Sequence, residues 1–285
     1  MTKRKRLVLA LAVLVLFLGW MGWGNFTLET TRYDLYLEGL PHSFEGLRVL
    51  QISDLHNAVY GKENARLMEA IRQTAPDLIL FTGDMVDSRN TRPDLALDLA
   101  EQAAAVAPCY YVPGNHEGRL DEDEYAAFEK GLMDRGVIPL HNQGLPYTRG
   151  EESIWIMGVE DPRFGEREKG ETETETLRRR IDQALDGGEG LFTLLLSHRP
   201  EQISLYGEEK LGLVFSGHAH GGQFRLPLVG GLAAPDQGLL PQYDAGVFRQ
   251  KSATMVVSRG VGNSIIPVRF NNRPQLVLAV LHTQS

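Results

Sequence analysis

The sequence predicts an α/β protein in which two mixed β-sheets pack as a sandwich flanked by helices, behind an N-terminal transmembrane helix. Three observations carry that expectation. Short apolar runs alternate with amphipathic segments through residues 47–135 and then give way to runs separated mainly by glycine, which reads as strand–helix alternation followed by meandering strands. Polar clusters rich in Asp, Asn and His sit where five of those runs end, the place where open α/β sheets assemble their sites. Residues 7–23 carry no charge and follow four consecutive basic residues.

That uncharged run has 17 residues, the short end of what crosses a bilayer, with Trp20 and Trp23 where an interfacial aromatic belt falls. The residues after it, Gly24-Asn25-Phe26-Thr27, offer no small-x-small cleavage site. Residues 1–27 therefore read as an uncleaved signal anchor rather than a cleaved secretory signal or a buried helix. By the positive-inside rule Lys3, Arg4, Lys5 and Arg6 stay in the cytoplasm. A single pass through the cell membrane then leaves residues 28–285 as one domain on the extracytoplasmic side.

Residues 28–38, rich in Thr, Tyr and Leu, read as a strand, and 47–52 as a second ending at Asp54. Leu67, Met68 and Ile71 fall at helical spacing within 64–74, ahead of Pro76. Residues 78–81 form a short apolar strand before Gly83-Asp84. Pro93 opens an Ala- and Leu-rich helix to 106, because proline at a first helical position has no needed donor to lose. A strand at 110–112 ends at Gly114-Asn115-His116, and 121–135 is a helix whose first-turn acids suit the positive end of its dipole. Residues 137–140, 145–148 and 153–159 read as consecutive strands of an antiparallel stretch. The charged segment 166–186 reads as a solvated loop running into a helix. Strands at 191–196 and 211–215 lead to Ser197-His198 and Gly217-His218, and 255–258 and 275–281 are late strands.

At 285 residues and 42% apolar content the chain can fill a sizeable core, and it holds no internal repeat. The net charge of −8 hides an asymmetry, since the four leading basic residues leave 25 basic against 37 acidic side chains in the remainder, a net −12. An acidic body argues against nucleic acid as the main partner, because phosphate backbones need clustered Lys and Arg. The single cysteine, Cys109, excludes an intrachain disulfide, and its place in the apolar run 108–112 makes it a buried thiol rather than a nucleophile.

The chemistry lies in the clusters. They are Asp54-Leu55-His56, Gly83-Asp84-Met85-Val86-Asp87, Gly114-Asn115-His116-Glu117, Ser197-His198 and Gly217-His218-Ala219-His220. Together they supply three Asp or Asn oxygens and four imidazoles, with one His and one Asp to spare. That inventory suits a site in which a shared carboxylate holds two cations about 3.5–4 Å apart around a water. Residues i and i+2 of an extended segment point the same way, so His218 and His220 can face one cavity, as can Asp54 and His56. Gly83 lets the chain turn sharply and leaves Asp84 at a strand tip, where two cations could share it. Asn115 adds a neutral oxygen. Mixed nitrogen and oxygen donors without sulfur suit Mn, Fe or Zn better than Ca. His116 adjoins a candidate ligand and is placed as a general acid, with Asp87 to orient it and favour its protonated form. His42, His141 and His282 have no such company and read as hydrogen-bonded structural residues.

The order Asp-x-His, Gly-Asp-x-x-Asp, Gly-Asn-His-Glu, His, Gly-His-x-His resembles that of the calcineurin-like metallophosphoesterase superfamily, from residue 47 onward. Ser53-Asp54-Leu55-His56-Asn57, Gly217-His218-Ala219-His220-Gly221-Gly222-Gln223, and Gly260-Val261-Gly262 before Pro267-Val268-Arg269 resemble its membrane-anchored bacterial YkuE/YaeI-type branch. The resemblance implies a four-layer fold and two divalent metal ions. One would sit on Asp54, His56, Asp84 and His220, the other on Asp84, Asn115, His198 and His218, with Asp84 bridging. It gives His116 the general-acid position and Asp87 the orienting one. The superfamily's protein phosphatases place Arg directly after this second Asp, whereas Ser88 here precedes Arg89, which weakens a protein-phosphatase reading.

The expected activity is hydrolysis of a phosphodiester or diphosphate bond in a lipid or cell-envelope substrate. The apolar insert Leu226-Pro227-Leu228-Val229-Gly230-Gly231-Leu232 fits a lipid, and equally an ordinary loop packed on the core. Two rivals stay open. One is a cytoplasmic-face pyrophosphohydrolase of UDP-diacylglucosamine type, which needs the inverse topology. The other is a non-catalytic metal-binding surface protein.

Overall fold

In the computed structural model, residues 2–165, 168–263 and 266–284 are described. Positions 166–167, the start of the expected charged loop, lie outside them. Helix α1 (Lys3–Phe26) begins where the Thr2 hydroxyl accepts from the Lys5 N–H, and it buries none of its side chains. It is long and apolar enough to be a candidate membrane span. The body then begins with β1 (Glu29–Leu37) and β2 (Arg48–Ile52). Next come α2 (Ala65–Gln73), β3 (Leu78–Thr82), α3 (Pro93–Ala104), β4 (Cys109–Val112), α4 (Glu122–Asp134) and β5 (Val137–Pro139). Strands β2 to β5 are parallel and joined by helical crossovers, as parallel neighbours require.

The second half opens with a hairpin, β6 (Gln143–Arg149) and β7 (Glu152–Gly158). Helix α5 (Glu173–Leu185) starts at a capping box in which Thr172 and Glu175 satisfy each other's backbone donors. It is followed by β8 (Thr193–Leu196), α6 (Ile203–Glu208) and β9 (Leu213–Ser216). Two small hairpins come next, β10 (Arg225–Leu226) with β11 (Gly230–Gly231) and β12 (Ala233–Ala234) with β13 (Gly238–Leu239). The chain closes with β14 (Gly246–Gln250), β15 (Ala253–Val257) and β16 (Gln275–Thr283).

Two six-stranded sheets result, ordered β1-β16-β2-β3-β4-β5 and β14-β15-β9-β8-β7-β6. Alternate side chains explain the layering. In β3, Leu78 and Leu80 face the other sheet, while Ile79 and Phe81 face α2 to α4. In β8, Leu194 and Leu196 enter the space between sheets and Leu195 packs toward α5 and α6. Both faces of each inner strand are covered, so these strands read as unbroken apolar runs rather than alternating ones. The expected sandwich of mixed sheets flanked by helices is what forms.

One expectation needs correction. Residues 137–140 do not start an antiparallel meander: β5 pairs parallel with β4, Cys109 opposite Val137. Pro139 cannot donate to a further strand, and β5 accordingly ends that sheet. Only β6 and β7 pair antiparallel as expected, and β14 was absent from the sequence expectation.

Candidate metal centre

Every candidate ligand follows the carboxyl end of a strand. Asp54 and His56 follow β2, Asp84 follows β3, Asn115 and His116 follow β4, His198 follows β8, and His218 and His220 follow β9. To aim these side chains inward the backbone adopts left-handed conformations that L-residues avoid, with φ of 52° at Asp54, 43° at His56, 54° at Asp84, 66° at His218 and 48° at His220. Strain concentrated in this way marks a site whose surroundings over-determine it. The strands' loops also pack too closely for side chains: a Cβ on Gly83 would lie 2.8 Å from Gly114 Cα, and one on Gly114 would lie 2.3 Å from Asp84 Oδ1.

Backbone hydrogen bonds fix the arrangement. Asp54 N donates to Gly83 O and His56 N to Asp84 O, each at 3.0 Å, locking two strand ends together. His116 N donates to Asp84 Oδ1 at 2.8 Å, and His218 N to Asp54 Oδ1 at 3.0 Å. The remaining Asp84 oxygen is thereby turned into the site. Asp84 Oδ2 lies 3.3 Å from His198 Nε2 and 3.6 Å from His56 Nε2, and Asp54 Oδ1 lies 3.5 Å from His220 Nε2. His198 Nδ1 donates to Thr82 O at 2.7 Å, which turns Nε2 toward Asp84. His56 and His220 point their Nε2 atoms at each other across 3.2 Å.

Two groups of donors could each hold an ion: Asp54, His56, Asp84 and His220, and Asp84, His198 and His218, their ligand atoms lying within 4.8 Å of one another. Buried atoms in this cluster lack any hydrogen-bond partner, among them Asp54 Oδ2, Asn115 Oδ1 and His198 Nε2. A buried polar atom without a partner is costly, so donor atoms left this way beside the two groups fit cations. Electrostatics agree. Burial pushes the imidazoles of His56 to about 3 and His218 to about 4, and His220 well below the usual range, keeping them neutral as ligands must be. At His198 burial acts the same way, but the Asp84 carboxylate overrides it and raises the imidazole to about 10. Burial would raise Asp84, yet the His198 charge holds it well below the carboxylate range. Burial lifts Asp54 to about 6. Without cations, protons compensate the buried carboxylates.

His116 sits at the edge of this cluster, its ring 4.5 Å from that of His56, and burial lowers its pKa. Its Nδ1 accepts from Ser88 N at 3.1 Å, while Asp87 Oδ1 lies 3.6 Å away. Asp87 spends its hydrogen bonds on Arg89, at 2.9 Å to the backbone and 3.0 and 2.6 Å to the guanidinium. His116 thus stands beside Asp84 with Asp87 close to its Nδ1, although the hydrogen bonds of Asp87 go to Arg89.

Several residues escaped the sequence reading. Glu117 is fully buried and accepts from Gly114 N, Asp84 N and Val86 N at 2.7, 2.9 and 3.1 Å, so one carboxylate braces both the Asp84 and Asn115 turns. Burial, reinforced by Asp84, lifts it to about 7. His218 Nε2 donates to Asp236 Oδ2 at 2.8 Å, leaving Nδ1 with the free lone pair. Asp236 is itself paired with Arg199, a fully buried guanidinium that also grips Asp161. Glu117 stood inside a recognised motif but had no evident partner. Asp161 and Asp236 are 38 and 37 residues from Arg199, with no local pattern to join them. Two of the three bystander histidines are hydrogen-bonded as expected: His141 pairs with Glu129 and Glu160, and His282 with Glu45 and Asp34. Cys109 is buried, its thiol pushed up to about 12 by burial.

A two-sheet α/β sandwich with such a cluster at its rim defines a metallophosphoesterase class. The chain belongs to the calcineurin-like phosphoesterase family, whose model matches residues 47–222, and within it to the YkuE/YaeI-like branch. It is 29% identical over 266 residues to the metallophosphoesterase YkuE of Bacillus subtilis (strain 168), covering 90% of this chain and 87% of that protein. It is 26% identical to phosphodiesterase YaeI of Escherichia coli (strain K12), covering 82% of each. A transmembrane protein with metallophosphoesterase domain from Danio rerio is 29% identical over 87% of this chain, which spans 56% of that longer protein. The crystal structure of TT1561 of Thermus thermophilus superposes with a TM-score of 0.50 over 75% of this chain and 90% of that one, at 14% identity, a likeness of fold.

Proposed function

We propose that this chain is a membrane-anchored phosphoesterase that uses two divalent cations, Mn, Fe or Zn, to hydrolyse a phosphodiester or diphosphate bond. The observation that carries the reading is the convergence of partnerless buried donor atoms around Asp84. In this reading Asp54, His56, Asp84 and His220 hold one cation. Asp84, Asn115, His198 and His218 hold the other, with Asp84 shared. Cations so held supply an activated water and neutralise phosphoryl charge.

The chain's own groups perform the remaining tasks. With Nδ1 facing Ser88, His116 keeps Nε2 free, and as the imidazolium it can protonate the departing alkoxide from that atom. Asp87 stands 3.6 Å from His116 Nδ1 and, through its grip on Arg89, also shapes the turn that presents the Ser88 N–H. Glu117 keeps the Asp84 and Asn115 turns in register, and Asp236 orients the His218 ring. The uncharged α1 behind Lys3–Arg6 supports a single pass with the body on the extracytoplasmic face. Tethering concentrates such a body on membrane and envelope phosphoesters, which makes a lipid or cell-envelope substrate the class it meets.

Asp84→Asn in the full-length chain tests the reading. Turnover of a nitrophenyl phosphodiester should vanish and elemental analysis should find both cation positions depleted, because the carboxylate is shared. Normal metal content with normal turnover would sink the assignment.

A further inference from the structure

One loop of the body lies against α1, and a second packs behind it. Residues 266–273 run beside its last turns. The Phe270 ring meets Trp20 edge-on at 5.2 Å and Phe17 at 6.4 Å. Asn25 Nδ2 donates to Arg269 O at 2.8 Å and Arg269 N returns a bond to Asn25 Oδ1 at 2.7 Å. Residues 223–229 lie behind this segment: Arg225 N donates to Phe270 O at 2.9 Å, and the Gln223 amide donates to Ile266 O and Val268 O, both at 2.8 Å. These loops expose Leu226, Leu228, Val229, Ile266 and Val268, with Leu228 wholly uncovered. Among the described residues nothing else covers them, and exposed clusters of this size mark an interaction surface.

The helix sets the depth of these loops. At ~1.5 Å per residue the uncharged run 7–23 is about 26 Å long, slightly under the ~30 Å hydrocarbon core, so every turn is needed to cross. Counted from Leu7, Phe17 lies about 15 Å in, at the midplane, and Trp20 about 20 Å in, within the leaflet on the body's side. A ring packed on both cannot be above the headgroups. Raising the body until Phe17 cleared the hydrocarbon would leave residues 7–16 to span, about 15 Å, half of what is required. At the level of Trp23 the surroundings change. The Arg273 guanidinium lies 4.7 Å over the Trp23 ring. Arg259, Arg269 and Arg273 line a cleft of about 130 Å³ there. Arginine and tryptophan at one level form an interfacial belt.

We propose that residues 223–229 and 266–270 form a membrane-immersed face, seated in the acyl region of the leaflet on the body's side, with Arg259 and Arg273 at headgroup level. The proposal rests on α1 being a membrane span and is independent of the chemistry at Asp84. Just past this segment Asn272 Nδ2 donates to His220 O at 2.7 Å, tying the same loop to the backbone of a candidate ligand.

The test uses the full-length chain in nanodiscs of palmitoyl-oleoyl phosphatidylcholine and phosphatidylglycerol. A polarity-sensitive fluorophore is attached at Leu228→Cys, at Leu14→Cys within α1, or at Glu189→Cys before β8, and native Cys109 is buried and spared. Replacing part of the lipid with a mid-chain nitroxide analogue should quench the labels at positions 228 and 14 and leave that at 189 unchanged. Quenching at 14 but not at 228 overturns the immersed face while sparing the span. Quenching at neither overturns both.

Discussion

His198 and Asp84 show how burial decides what a ligand pair does. Fully buried side by side, they form an ion pair with the proton on His198, whereas His56, His218 and His220 are kept neutral chiefly by burial, with neighbouring positive groups adding to it. His116 has a different task, and its prediction follows from the Ser88 contact. His116→Gln should keep both cations yet lose roughly 10²–10⁴-fold in rate on alkyl phosphodiesters. The loss should shrink on nitrophenyl esters, whose leaving groups need little protonation. Equal losses on both would show that His116 stabilises phosphoryl charge instead. For Asp236, oriented onto His218, Asp236→Ala should weaken one cation about 10–100-fold in a chelator competition, with Asp236→Asn partly restoring it because its amide oxygen still accepts from Nε2–H. A lowered Tm with unchanged affinities would reduce Asp236 to a structural role. The ligands were legible because each follows an apolar run by two to five residues. Glu117, Asp161, Arg199 and Asp236 were not, since their partners meet only in the folded chain.

Strands β2, β3, β4, β8 and β9 were readable as elements because both faces are covered and the sequence shows apolar runs. β14, only half-buried, gave no such run, and the hairpins of two-residue strands are too short for any periodicity. The direction of β5 could not be read, because a short Val-Ile-Pro strand fits a parallel edge or a meander equally. Just beyond β5, His141 links Glu129 of α4 to Glu160 after β7, joining the two halves of the sandwich. Burial alone would lower the His141 pKa, but Glu160 and Glu129 raise it. Its stabilisation is therefore full below about pH 6.5 and is lost as pH rises through the raised folded value. Glu160 is opposed by burial yet held low by the His141 bond, so its share is present above about pH 4.3 and lost as pH falls. His141→Gln should therefore cost on the order of 1 kcal/mol in chemical unfolding near pH 5.5 and little near pH 9. An equal cost at both pH values would contradict a charged link.

At the scale of the whole molecule, neither candidate donor group comes from one sheet alone. Asp54, His56, Asp84 and Asn115 come from the first sheet, and His198, His218 and His220 from the second, so the cluster joins the sandwich at its rim. The sandwich and its rim were anticipated from strand endings, but the seam between α1 and residues 266–273 was not, because Phe17 and Phe270 are brought together only by the fold. Cations held at the rim would stabilise only the folded chain, and their removal should lower Tm. The most direct measurement returns Mn, Fe(II) or Zn stepwise to the metal-stripped full-length chain and follows hydrolysis of a nitrophenyl phosphodiester. A shared Asp84 between two ligand sets predicts that turnover reaches its plateau only as the second equivalent per chain binds. A plateau after one equivalent, or no hydrolysis with both positions filled, would contradict a two-cation phosphoesterase.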